Sequence, residues 1–161
     1  MNLVVAIKKK LTKLEAVMWS IALPGFAQLL TGNLVKGILF VLLEFLVNVK
    51  SNFNEGIMYS FLGETGMAMQ VMDFQWLMFY PCLYMFAIWD AYRSVMPEDE
   101  KITFLPFVFS AYFVTVGLMI SPKIKMFGIF PGPVFLPMIF VIPGVLIGLF
   151  IRKLVLRYYI D

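Results

Sequence analysis

An all-α, polytopic bundle of membrane-crossing helices is the architecture this chain prescribes, and three features carry that expectation. Between Lys125 and Arg152 lie 26 consecutive residues without an ionisable side chain. Ile102–Ser121 is a second charge-free run of spanning length. Hydrophobic residues make up 61% of the chain and charged residues 14%, against about 45–50% and 25% in an ordinary soluble domain. A charge at the centre of a membrane helix costs roughly 2.5–3.5 kcal/mol, so a bilayer is the solvent that gives such runs a reason to exclude every charge.

The 161 residues have room for one integral membrane domain, 1–161, and none for a separate soluble one. The chain opens on Lys8, Lys9, Lys10 and Lys13, followed by the apolar stretch Ala16–Leu30. That order has the outline of a signal peptide, but a small-x-small cleavage site leading into a polar mature chain is missing, so an uncleaved start is expected. A hydrocarbon core of ~30 Å needs about 20 helical residues. Ala16–Leu30 falls short, and Pro24-Gly25 breaks its middle. It is expected as a short broken segment over 14–31, re-entrant or interfacial. Transmembrane helices are expected over 34–50, 73–93, 102–121 and 133–156. The first two have apolar stretches of ~16 residues and reach across with snorkelling ends or local thinning.

Charge distribution favours four full crossings over the alternative of five. With five, and a cytoplasmic N-terminus, the inside holds Lys8, Lys9, Lys10, Lys13, Lys50, Lys123 and Lys125. The outside then holds Lys36, Arg93, Lys101, Arg152, Lys153 and Arg157, and seven against six is no bias. With four, only Lys50, Lys123 and Lys125 lie outside, ten against three, as the positive-inside rule asks. Both termini are then cytoplasmic.

The connections fit that arrangement. Ser51–Asp73 is an outer loop in which Asn52, Asn54, Gly56, Gly63 and Gly66 alternate with Ile57, Phe61 and Leu62, a pattern for a short surface helix. Met96–Lys101 is a tight polar turn that Pro97 opens. Pro122–Pro133, with Lys123, Lys125, Gly128, Pro131 and Gly132, is a broken outer loop.

The most specific local pattern is Leu23-Pro24-Gly25-Phe26-Ala27-Gln28, then Gly32, then Lys36-Gly37, Phe40 and Glu44. Pro24-Gly25 interrupts a helix and Gly32-Asn33 supplies a turn able to reach positive φ. Gln28 is placed to bond backbone groups that the break frees, and Lys36 marks the interface where the next helix begins. Irregular backbone at membrane depth must be shielded by protein or water. The expected role is folding and packing, with a substrate or ion site at the break as the other reading.

This pattern resembles the Pro-Gly-x-Gly-Gln, Gly, Lys-Gly-x-x-Phe signature of small bacterial membrane proteins of the TM2-like kind, also found near the start of some Gram-positive sugar ABC-transporter permeases. Pro24, Gly25, Gln28, Gly32, Lys36, Gly37 and Phe40 match it, while Ala27 replaces the second glycine and Leu30 a frequent aromatic. Trp89-Asp90-Ala91-Tyr92-Arg93 is similar to the Asp-Ala-Tyr end of a permease helix on the cytoplasmic side. The likeness covers roughly Leu14–Arg93. It implies four crossings and a bacterial plasma membrane. The Glu-Ala-Ala coupling loop that engages an ATPase is missing, so the resemblance implies architecture rather than a complete permease.

Glu44 is the one carboxylate well inside an apolar segment, and intramembrane acids default to a functional hypothesis. Lys36, Phe40, Glu44 and Asn48 are spaced four apart and share one helix face. The expectation is a Glu44 neutral or bonded to Gln28, Asn48 or the helix break, with a proton or cation relay as the rival and a contact to a partner protein as the third reading. Asp90 and Arg93, one turn apart and flanked by Trp89 and Tyr92, read as a local ion pair with aromatic interface anchors. Gly144-x-x-x-Gly148 allows close helix approach, within the chain before a homo-oligomer. Pro137 and Pro143 are expected to kink or unwind the last helix. Met58, Met67, Met69 and Met72 form an interfacial face rather than a Cu(I) trap.

No Gly-x-Ser-x-Gly, His-Glu-x-x-His or Walker A sequence is present, histidine is absent, and Cys82 is the single cysteine. No cofactor or metal is called for, and an enzyme is not expected. A net charge of +3, placed at the ends of apolar runs, offers nucleic acid no patch. The partners expected are the lipid bilayer and another membrane protein or a second copy. The functional expectation is an accessory or assembly partner of another membrane component, with a small transporter or channel using Glu44 as the alternative.

Overall fold

The computed structural model describes residues 10–160 and the side chains of 10–158, and the chain over that range is helical. Lys8, Lys9 and both chain ends lie outside the described residues, and with them the expected placement of the termini. α1 (Lys13–Ala22) opens on a capping box: Thr12 Oγ1 accepts from Glu15 N at 3.2 Å, and the Glu15 carboxylate accepts from Thr12 N at 2.9 Å. It stops before Pro24, with Leu23 extended and Gly25 left-handed at φ 97°. α2 (Phe26–Leu30) follows, and Gly32 at φ 83° turns the chain into α3 (Leu34–Ser51).

α3 buries Gly37, Phe40, Glu44, Val47 and Ser51, alternating steps of three and four that define one stripe. Val35, Ile38, Leu39, Leu42, Phe45 and Val49 face away from the protein. Of the expected face, Phe40 and Glu44 point inward, Asn48 is half-buried and Lys36 is exposed at its end.

The 51–73 connection, expected as an outer loop with one surface helix, holds two short helices, α4 (Phe53–Phe61) and α5 (Thr65–Val71). Its ends are stapled: Asn52 Nδ2 donates to Val71 O at 3.0 Å, and Asp73 N to Ser51 O at 3.0 Å. The expected helix over 73–93 is two stretches on one path, α6 (Phe74–Leu77) and α7 (Tyr80–Val95). Asp73 caps the first, accepting from Gln75 N at 2.8 Å. Pro81 has no N–H to return to Leu77, so the ladder is interrupted although Met78 and Phe79 keep helical angles.

α8 (Leu105–Ile120) begins later than the predicted 102, because Ile102 takes a positive φ of 55° and Pro106 sets the first turn. Between α8 and α9 (Gly132–Ile160), Met126 and Ile129 pair across a tight turn at Phe127-Gly128. α9 runs through Pro137 and Pro143 without interruption. The expected unwinding does not occur.

α8 and α9 form an antiparallel hairpin with nearly touching backbones. A Cβ on Gly144 would stand 2.6 Å from Ser110 Cα, and one on Gly148 2.5 Å from Pro106 Cα. The Gly144–Gly148 pair is thus spent within the chain. α7 lies beside α8, and α1 packs on α7. α4 and α5 cover one end of α9, where Phe61 meets Phe135 edge-on at 5.2 Å.

The opposite end collects charge. Glu100, in the α7–α8 turn, pairs with Lys13, accepts from Tyr92 Oη at 3.3 Å and faces Arg152 Nη2 at 3.8 Å. Lys36 meets Asp90 at that same end. The chain over 13–36 therefore goes out and comes back. Its turning point is marked by Tyr84, whose hydroxyl donates to Ile21 O. Tyr84 is about one and two-thirds turns before Asp90, about 9 Å along the helix, so the excursion reaches midway along α6–α7.

Among the described residues, one helix is long and apolar enough to cross a membrane unaided, α9 over Gly132–Tyr158. Thr65–Val71 with Phe74–Val95 qualifies only as a pair, bent by 92°. α3 carries Lys36, Glu44 and Lys50 within its 18 residues, and α8 has 16. Charge in one case and length in the other keep them below the mark.

Candidate functional site

Two buried polar side chains, Gln28 and Glu44, reach α7 at two places. The first is built by the break. Gly25 lets the chain reverse against α3 so closely that a Cβ there would sit 2.5 Å from Gly37 O. Gly37 leaves room in turn for Leu29. The reversal drives Gln28, fully buried, at α7: its Nε2 donates to Ala87 O at 2.9 Å and to Asp90 Oδ2 at 3.2 Å. Lys36 Nζ donates to the other oxygen, Oδ1, at 2.6 Å. Asp90 thus joins the α2 turn to the start of α3. The carboxylate is 13% exposed and the lysine 60%.

The second place is deeper. Glu44, 8% exposed, accepts from Tyr80 Oη at 2.7 Å. Tyr80 stacks on Tyr84 with ring centroids 5.4 Å apart, and Tyr84 takes the Ile21 carbonyl that the end of α1 leaves free. A ladder of two phenols therefore runs from the Glu44 carboxylate to the helix break. Phe53 closes over Tyr80 at 4.6 Å.

Several sequence expectations change partner here. Asp90 pairs with Lys36 and Gln28, whereas Arg93 is exposed on the next turn. A bond within one helix turn yields to a more buried one offered by two other elements. Gln28 does not serve the helix break; Tyr84 does. Glu44 bonds neither Gln28 nor the break; it takes Tyr80 and, as one of the expected partners, the Asn48 side chain, whose Nδ2 also reaches Asn54 at 3.2 Å. Trp89 tilts against Phe86, and Tyr92 stacks obliquely on Phe107, as aromatic neighbours of that helix end. The methionines of the 51–73 connection separate: Met72 is buried beside Gly56, Met69 lies 3.9 Å from Ser121 Oγ, and Met58 and Met67 are exposed.

Tyr80, Tyr84 and Glu100 are the polar partners that sequence reasoning did not single out. The usable signal was the i, i+4 spacing of two phenols inside an apolar run, because a buried hydroxyl requires an acceptor. Ser51, Ser60, Ser110, Thr115 and Ser121 return their hydroxyls to carbonyls of their own helix turn at 2.6–2.8 Å. Ser20 Oγ, Gln28 Oε1, Glu44 Oε2 and Trp89 Nε1 are buried without a protein partner. Among the described residues no three His, Cys, Asp or Glu side chains gather as a metal site would need. No protein-family model, curated protein sequence or solved structure matches the chain.

The Asp90 junction makes a graded expectation. Asp90→Asn keeps an acceptor for Gln28 and loses only a pair whose lysine is mostly in solvent, for a cost below about 1 kcal/mol. Asp90→Ala strands the Gln28 amide and is expected to cost about 1–3 kcal/mol. Thermal unfolding of both variants in mild detergent measures the difference.

Proposed function

We propose that the chain is a small multi-pass membrane protein without catalytic chemistry, acting as an accessory or assembly partner of another membrane component. The observation that carries this reading is an inverted distribution of apolar surface. Only 28% of the most apolar stretch of α9 is buried inside the protein. A helix of that composition in a soluble protein belongs at its core. α3 likewise turns eight large apolar side chains outward, far more than a water-facing helix displays.

Four crossings follow: α3, α6 with α7, α8 and α9. At 1.5 Å per residue α3 is about 27 Å long and the path from Phe74 to Val95 about 33 Å, near the ~30 Å of a hydrocarbon core. Lys13, Lys36, Glu100 and Arg152 share one end, so the first segment is re-entrant and that end is cytoplasmic by the charge rule. The motif shared with TM2-like proteins and permease starts agrees with this, since its Gln28 and Lys36 meet the Asp90 of the second motif. Their use is fastening. The aliphatic hydroxyls of α8, Ser110 and Thr115, are turned back on their own backbone and Tyr112 faces outward, which leaves little polar track inside for a solute.

Single cysteines at Asn33, Asn54, Val95 and Lys125, in a Cys82→Ala background, test the topology by labelling intact cells. Asn33 and Val95 are expected on the inside, Asn54 and Lys125 on the outside. Asn33 and Val95 on opposite faces would return the count to five. Co-purification in mild detergent tests the assembly role, and a chain that always emerges alone and monomeric overturns it.

One observation favours a second reading, a small transporter or channel: Glu44 keeps an unpaired Oε2 at the centre of α3. Under the leading proposal, vesicles holding the purified chain show no proton or cation flux. A flux that disappears in Glu44→Gln would reverse the order of the two readings.

A further inference from the structure

We infer that the groove between α7 and α8 holds one acyl chain of an anionic phospholipid from the leaflet on the Lys13 and Arg152 side. This rests on the membrane reading above. The groove has a volume of about 860 Å³ and is walled by Cys82, Phe86 and Trp89 of α7 and by Phe104, just before α8, with Val108 and Tyr112 of α8. Cys82, Phe86, Phe104, Val108 and Tyr112 are exposed, so it opens sideways along the helices.

Its length identifies the occupant. From Phe104 to Thr115, the two ends of the α8 wall, the rise is about 16 Å. Half of a ~30 Å hydrocarbon core is ~15 Å. The groove is one leaflet deep. A helix from a partner would need a seam across both leaflets, whereas an acyl chain needs this one.

Its charge identifies the headgroup. Cys82, Phe86 and Trp89 follow one helix face, and the next residue on that face is Arg93, at the interfacial mouth. Arg93 is exposed, and among the described residues no carboxylate stands within ion-pair distance of it. Of the acids at this end, Glu100 is engaged by Lys13 and Arg152 and Asp90 by Lys36, while Glu98 and Asp99 stand exposed in the turn after α7 without an ion pair to Arg93. A phosphodiester on Arg93, with its chain lying along Trp89 and Val108, satisfies cation and groove together.

Trp89 reports on the groove directly. With Trp19→Phe and Trp76→Phe it becomes the sole indole, read in vesicles containing phosphatidylglycerol or phosphatidylcholine with brominated chains. Brominated phosphatidylglycerol is expected to quench Trp89 at about five-fold lower mole fraction, the preference one arginine at the surface supplies. Arg93→Gln is expected to merge the two curves. Equal quenching by both lipids in the unaltered groove overturns the proposal, leaving ordinary boundary lipid. No quenching of Trp89 by either lipid, while a chain keeping only Trp19 is quenched, also overturns it, because protein then covers the groove. Quenching of neither indole, with the chain remaining outside the vesicles, removes the membrane reading itself.

Discussion

Gly25→Ala is expected to destabilise the fold by on the order of 3 kcal/mol, summing two separate penalties. At φ 97° an L-residue is strained in its own backbone, which costs roughly 1–2 kcal/mol. The added Cβ would also stand 2.5 Å from Gly37 O and 3.0 Å from Val41 N. Those are backbone atoms of α3, so relief requires the helix to shift, and forced overpacking adds about 1–3 kcal/mol. The shift would carry Gln28 away from Asp90 and Ala87. Gly63→Ala separates the two penalties, because Gly63 has φ 82° and open space around it. It is expected to lose only the strain, about 1 kcal/mol. Thermal or SDS unfolding in mild detergent compares them, and equal losses would show that the approach of the turn to α3 contributes nothing.

Gly148→Leu is expected to be the other large loss, about 3 kcal/mol, through the α8–α9 hairpin. Its Cβ would meet Pro106 Cα at 2.5 Å and Leu105 O at 2.8 Å, with nothing flexible to move aside. Gly144→Leu meets Ser110 the same way, and the two changes should not add, since either one separates the same pair of helices. Gly66→Ala is the counterpart: it lies inside α5 with nothing near it and is expected to be neutral or slightly stabilising. If Gly148→Leu instead leaves unfolding unchanged and alters oligomeric state, the glycine pair serves an interface between copies.

Much of the architecture was legible because it is written in neighbouring residues. Pro24-Gly25 announces a reversal wherever it sits, since one residue lacks an N–H and the next tolerates positive φ. Leu34–Ser51 begins and ends within a residue of expectation, and its stripe follows from helical spacing. The errors share another origin. Asp90 and Arg93 are neighbours on one turn, yet Asp90 answers Lys36, 54 residues away. Glu44 finds Tyr80, 36 residues on, and the carbonyl freed at Ile21 finds Tyr84, 63 residues on. Of the kink or unwound stretch expected at Pro137 and Pro143, the unwinding is absent, since α9 continues through both.

Exclusion of charge from Met126–Ile151, the breaks and the caps are properties of short stretches, and short stretches fix which backbone is helical and which surface is apolar. Partner choice is a different kind of quantity. A buried carboxylate takes whichever donor the packed helices bring within 3 Å, because leaving it unpaired in an apolar interior costs more than any local alternative returns. Which donor arrives depends on how α2, α3 and α7 lean together. That is set by the close approach of Gly25 to Gly37, a contact that no single segment encodes.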